Sequence, residues 1–314
     1  VVDDGRLLAS VVSSSVPLHE KYGGVIPEIA SRFHVEYINK VTRKALKKAK
    51  VRLGGLESVA FTGGPGLTGS LLVGKAFAGA LAYSLGIPTV TVDHLAAHLF
   101  ANFLVKKRPN PGFPFVGAVV SGGHTSIFIC RSFKDFELIG RTRDDAIGEA
   151  FDKVAKILGI GYPGGPAIEK YAKGFTRKNP INFPRAYLEK GSFDFSLSGI
   201  KTAVFYHVNG VDLSRREISR IAWSFQEAVF DVLVEKLVRA CGRFKLTEIV
   251  LGGGVVSNER LRVKLGCVCR RQGYKLFYPP AALCLDNAAM VAGIGEVLFR
   301  KKKEAKNGFQ KKEQ

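Results

Sequence analysis

Acidic residues are scarce in this sequence. Of 314 residues, 27 are Asp or Glu against 47 Lys or Arg, a formal net charge of +20. That imbalance favours a polyanionic partner, such as nucleic acid, or an anionic surface, with solubility alone as the plainer reading. Sulfur is also sparse, with one Met and five Cys. Cys130, Cys241, Cys267, Cys269 and Cys284 are odd in number and form no C-x-x-C pair. A disulfide framework and a zinc ribbon are therefore excluded, and a reducing cytoplasm is the expected compartment. The Cys267-x-Cys269 pair sits in a basic helical stretch and reads as packing. Long apolar runs are missing too. Ser58 to Val92 carries only Lys75 as a charge, but Gly and Pro punctuate it. It reads as strand, helix, strand rather than a bilayer span, and no signal peptide or membrane segment is expected. The opening Val1-Val2-Asp3-Asp4-Gly5 reads as a hairpin with only two residues on its first side. Its first strand is accordingly expected to be missing.

What is present is enough apolar material, 46% of residues, for about two domains with cores of their own. Helices are expected at Pro27 to Lys50, Thr68 to Leu85, around His94 and His98, and over Ile218 to Cys241. A last helix is expected from Asp286-Asn287 to Arg300-Lys303, with a polar tail beyond. Strands are expected at Ser58 to Thr62, Thr89 to Val92, Phe115 to Val120, Ser126 to Cys130 and Glu248 to Leu251. The run Lys106-Lys107-Arg108-Pro109-Asn110-Pro111 is the candidate boundary. VAFTGGPGLTGS and IVLGGGVVSN share a strand, glycine turn, helix pattern, which suggests two similar α/β halves facing one ligand cleft.

Several motifs carry chemistry. His94 and His98 are an i, i+4 pair that puts both rings on one helix face, a spacing that suits one metal ion. The Leu95 between them stands where a zinc peptidase of the H-E-x-x-H type needs a glutamate base. Gly64, Gly66 and Gly69 match the dinucleotide fingerprint G-x-G-x-x-G, which raises an NAD-dependent oxidoreductase as a rival. Pro65 weakens that match, and no acid is expected about 20 residues on at the end of a clear second strand. Gly69 to Lys75 mimics a P-loop, but Ala76 replaces the hydroxyl residue and Lys75 falls inside a helix. Ser121-Gly122-Gly123 after an apolar strand forms a tip suited to a phosphate. Gly252-Gly253-Gly254 with Asn258 suits a base or ribose. Asp144, Asp145, Glu149 and Asp152 are expected along one helix. Tyr162-Pro163-Gly164-Gly165-Pro166 reads as a rigid turn. Asp286 could reach a metal from afar, but nothing in the residues alone pairs it with the histidines.

Taken together, YGGVIPEIASRFH, GGPGLTGSLLVG, DHLAAHLFA, FPFVGAVVSGGHTSI, GEAFDKVAKILGIGYPGGP, FDFSLSGIKTAV, LGGGVVSNERLR and LCLDNAAMVA closely resemble the universal tRNA threonylcarbamoyladenosine transferase family. That family was formerly called O-sialoglycoprotein endopeptidase. The resemblance runs collinearly from about residue 1 to 298 and is to the bacterial branch. It implies an α/β actin-like ATPase fold (sugar kinase, Hsp70, actin) with two duplicated RNase H-like lobes around a cleft. Lobe I would comprise residues 1–109 and 287–314, and lobe II residues 110–286.

The resemblance further implies that the threonylcarbamoyl group of threonylcarbamoyl adenylate passes to N(6) of the adenosine beside the anticodon, in tRNAs reading codons that begin with A, with release of AMP. His94, His98 and Asp286 would hold one divalent metal, Fe2+ or alternatively Zn2+. Val119, Val120, Ser121, Gly122, Gly123, Asp152, Gly165 and Asn258 would hold the adenylate. A paralogous actin-like protein and a small P-loop ATPase would be partners alongside tRNA. A non-catalytic tRNA- or nucleotide-binding subunit and the oxidoreductase are the rival readings.

Overall fold

Asp4 and Gly5 both adopt positive φ, 51° and 67°, as a two-residue hairpin turn of the primed type requires. They join β1 (Val2–Asp3) to antiparallel β2 (Arg6–Leu7). The computed structural model describes residues 1–105, 109–176 and 178–310, without the side chains of 305–310. Lys106, Lys107 and Arg108 of the candidate boundary lie outside the described residues. The described chain divides into two compact units.

The first unit comprises 1–19, 25–109 and 286–314. After the hairpin come α1 (Val16–His19) and α2 (Pro27–Ala49), the latter with Pro at its first turn, where a missing N–H costs nothing. β3 (Val59–Gly64) leads to α3 (Thr68–Leu85) and returns as β4 (Thr89–Asp93), parallel to β3. The helix α4 (His94–Phe100) follows β4 without a loop, because the Asp93 carboxylate accepts from Ala96 N–H at 2.9 Å and caps it.

The second unit comprises 20–24 and 110–285. Its sheet has the order β7-β6-β5-β8-β9, with β5 (Phe115–Val120), β6 (Thr125–Cys130) and β7 (Phe136–Arg141) forming an antiparallel meander. Next come α5 (Ile147–Ile157), α6 (Gly164–Lys173), α7 (Ser198–Val208) and α8 (Arg215–Phe244). β8 (Glu248–Gly252) pairs parallel with β5, and β9 (Lys275–Phe277) pairs parallel with β8. Between them lies α9 (Glu259–Gln272), and α10 (Ala281–Cys284) follows. Every residue of β5 and β6 is buried, as expected of strands covered on both faces. Phe151, Phe225, Phe230 and Leu233 fill the core of this unit.

The last helix, α11 (Ala288–Gln310), belongs to the first unit and packs on α4, β3 and β4. It also grips the hairpin tip, since Glu296 accepts from Asp4 N–H at 2.7 Å and Gly5 N–H at 2.9 Å. The helix runs on to Gln310 where a polar tail was expected after Lys303. Asp286, assigned by sequence to the second lobe, groups with the first unit, while 20–24 group with the second.

Other boundaries also differ from expectation. The helix expected from Ile218 starts at Arg215, because Ser214 and Glu217 form a capping box. Asp144 and Asp145 precede α5 instead of lying along it. Asp144 accepts from Ser196, Leu197 and Ser198 and so pins the start of α7. Asp145 is paired with Lys153 at 2.5 Å and Lys201 at 2.8 Å. These acids are braces: Asp144 is exposed yet engaged at the start of α7, and Asp145 is half-buried between its two lysines.

Burial alone would raise the Asp145 pKa, but its lysine partners together hold it below the usual 3.8. Its folded value is thus lower than its unfolded one. The stability it adds is present above pH 3.8 and is lost as pH falls through the folded value. Asp145→Asn is expected to cost about 2 kcal/mol at pH 7. Denaturant midpoints for variant and wild type should draw together below pH 4; a gap that does not change with pH would refute this account.

Candidate functional site

In the first unit, α4 begins on His94, so residues 94 and 98 stack one turn apart with ring centroids 4.6 Å apart. Asp286 lies just before α11, and its Oδ1 is 3.5 Å from His94 Nε2 and 3.1 Å from His98 Nε2. One ligand atom from each of the three falls within 4.8 Å of the others. His98 is 1% exposed, and neither of its ring nitrogens has a hydrogen-bond partner with proper geometry, despite the short approach to Asp286. A buried imidazole with both nitrogens unsatisfied is costly unless something coordinates it. Two imidazoles and a carboxylate are also the donor set of a metal that keeps open positions. The residues therefore fit a divalent metal.

The dinucleotide rival finds no support here. β4 does end on an acid, Asp93, but its carboxylate caps α4. Gly69 lies against Ser31 of α2, where a Cβ would come within 3.0 Å, so its role is helix packing. Lys75 is an exposed residue in the middle of α3, and the P-loop likeness is fortuitous.

In the second unit, the tip between β5 and β6 is Ser121-Gly122-Gly123. Val119 and Val120 are fully buried in β5 just before it. Ser121 N–H donates to His124 O at 2.8 Å, and Ser121 Oγ accepts from His124 N–H at 3.1 Å. A Cβ on Gly122 or Gly123 would meet nothing, so both face open space. Two braces missed in the sequence set this tip. Thr125 Oγ1 accepts from Ile147 N–H at 2.8 Å. Gly148 lies so close that a Cβ would be 2.7 Å from Ser121 O. The start of α5 is thus clamped to the tip; Thr125 and Gly148 stand in quoted motifs, but nothing in the residues pairs them across the chain.

Asp152 lies one turn further along α5. Its Oδ1 accepts from Gly164 N–H at 2.6 Å and anchors α6, so the expected rigid turn is a helix start. Burial, the largest cause, raises the Asp152 pKa; the Gly164 bond opposes this and Glu149 adds to it. Gly165 beside it faces open space. On the other side of the tip, Gly253 has φ 97° and lies against the Val120 backbone. Asn258 is buried and already engaged: it caps α9 through Leu261 N–H at 3.1 Å and donates to Gln226 Oε1 at 2.8 Å.

A sequence model of the family described as tRNA N6-adenosine threonylcarbamoyltransferase matches residues 6–293. The chain belongs to that family. A threonylcarbamoyltransferase of Syntrophus aciditrophicus is 50% identical over 306 residues, covering 96% of this chain and 89% of that one. One from Clostridioides difficile is 46% identical over 302 residues, covering 95% and 88%. Among solved structures, full-length HypF in its phosphate- and nucleotide-bound form superposes with a TM-score of 0.58 at 14% identity. It covers 83% of this chain and 41% of that one. That likeness concerns the fold, and the two α/β units have the actin-like architecture expected of a threonylcarbamoyltransferase. The duplication is uneven. β5 pairs with both β6 and β8 to make one sheet, whereas the two-residue β1 pairs only with β2 among the described residues.

Proposed function

We propose that this chain transfers the threonylcarbamoyl group of threonylcarbamoyl adenylate to the N(6) amine of the adenosine beside the tRNA anticodon, releasing AMP. The convergence of His94, His98 and Asp286, with the buried His98 nitrogens unsatisfied, carries the reading within this family. The amine is a weak nucleophile, while the acyl donor is an activated mixed anhydride. The site's task is to position the two and to stabilise charge, and no protein nucleophile is required.

His94, His98 and Asp286 would hold iron(II), or zinc as the second choice, and that ion would supply Lewis-acid polarisation. The open amides of Gly122 and Gly123 donate to the adenylate phosphate. Gly165 and the Gly253 turn let backbone approach the nucleoside, and Asp152 offers its second oxygen to the ribose. Gln226 and Leu261 orient Asn258, which lines the adenine side. The net charge of +20 suits tRNA, with salt-dependent affinity. A paralogous actin-like protein and a small P-loop ATPase are the proposed partners, and the cytoplasm is the proposed location. Among the described residues, no helix is long and apolar enough to cross a membrane.

The test supplies threonylcarbamoyl adenylate, tRNA and both partner proteins, and follows the modified nucleoside by chromatography. Modification and AMP release in equal amounts are expected. AMP release without nucleoside modification would refute transfer to tRNA, and a nicotinamide-dependent absorbance change would revive the oxidoreductase.

A further inference from the structure

The second unit has a hollow of about 530 Å³ between α8 and α9, within the size range of small-ligand sites. It adjoins a second hollow of about 590 Å³, and the two share Cys267 and Arg271. Val234, Val238 and Val268 supply apolar wall. Most of the nearby charges are already spent. Glu227 pairs with Arg260 and Lys264, and Asp231 pairs with Arg185 and Lys264. Arg271 makes no ion pair among the described residues. At the wall, Glu235 and Arg239 pair at 3.4 Å through one atom each. Glu235 Oε2 and Arg239 Nε remain buried without a hydrogen-bond partner. An acceptor and a donor left unsatisfied side by side suit a ligand that offers both.

We propose that this hollow holds one unpaired nucleotide of the tRNA, its base against the valine wall and its phosphate on Arg271. The inference rests on the transferase reading above. A base edge carries donors and acceptors together and complements Glu235 and Arg239. A planar guanidinium with no carboxylate partner is the residue type that grips a phosphate through two bonds. The hollow lies along α9, whose first turn is capped by Asn258. The same helix would then serve the adenylate at its start and the RNA strand toward its end.

Cys267 lines the hollow and is exposed, while the other four cysteines are buried. Its alkylation by a maleimide therefore reports occupancy. With the full chain, saturating tRNA is expected to slow alkylation about tenfold, and Arg271→Glu should restore the rate and raise the KM for tRNA about tenfold, with kcat and bound metal unchanged. Val238→Trp, which fills the hollow, should raise the same KM; Arg271→Glu, at an exposed position, keeps the test sound if the filled variant misfolds. AMP alone should leave the alkylation rate unchanged. If tRNA is retained on a filter and modified, yet Cys267 reacts at its free rate, the inference is overturned. Equal protection by AMP would also overturn it, in favour of a free nucleotide. A chain that binds and modifies no tRNA would instead bring down the transferase reading.

Discussion

His98→Ala is expected to remove the bound metal and lower the transfer rate on the order of 10²–10³-fold, the scale seen when one charge-stabilising group is lost from an active site. His98 is buried, so a skeptic could ascribe the loss to a damaged core. Asp286→Ala settles that objection, because Asp286 is 79% exposed and its truncation leaves no cavity. Both variants should bind less than a tenth of the wild-type metal by elemental analysis, a loss of about 1.4 kcal/mol or more in affinity. A chelator should lower the melting temperature of the wild type and leave Asp286→Ala unmoved, since a ligand stabilises only the state that binds it. Full metal content in Asp286→Ala would mean that the three residues do not form the centre.

Gly253→Ala is the substitution expected to cost most in stability. The residue has φ 97°, a conformation L side chains rarely adopt, and a Cβ there would run into the Val120 carbonyl of β5. β5 and β8 are inner strands of the five-stranded sheet, so neither can yield without disturbing neighbours on both sides. Strain and clash together should cost about 4 kcal/mol, or roughly 10 °C in melting temperature. Gly191→Ala separates the two contributions. Gly191 has φ 88° but open space at the Cβ position, and its cost should stay near 1 kcal/mol. Equal losses in thermal unfolding of the two variants would show that the approach to Val120 is unimportant.

Much of the architecture was readable from local chemistry. Thr68 to Leu85 and Phe115 to Val120 have the bounds that apolar spacing and flanking glycines suggest. The histidine pair follows from helical periodicity alone. What the residues did not reveal depends on long-range partners. The place of Asp286 beside His94 and His98 comes from the docking of α11 on α4, and only the family resemblance pointed to it. Asp144 and Asp145 looked like helix positions because nothing nearby shows that their partners are Ser196, Ser198 and Lys201. Asn258 looked free to meet a ligand, and the competing Gln226 lies on another helix. β7, α7 and β9 carry weak periodicity and were not anticipated; pairing and packing make them.

The last helix closes a unit that opens with the first hairpin, and the second unit is inserted almost whole between them. Synthesis on the ribosome is vectorial, and domains fold as units once their residues have emerged. The inserted unit is therefore complete before the unit that encloses it. His94 and His98 therefore wait through the translation of that entire insertion before Asp286 can join them.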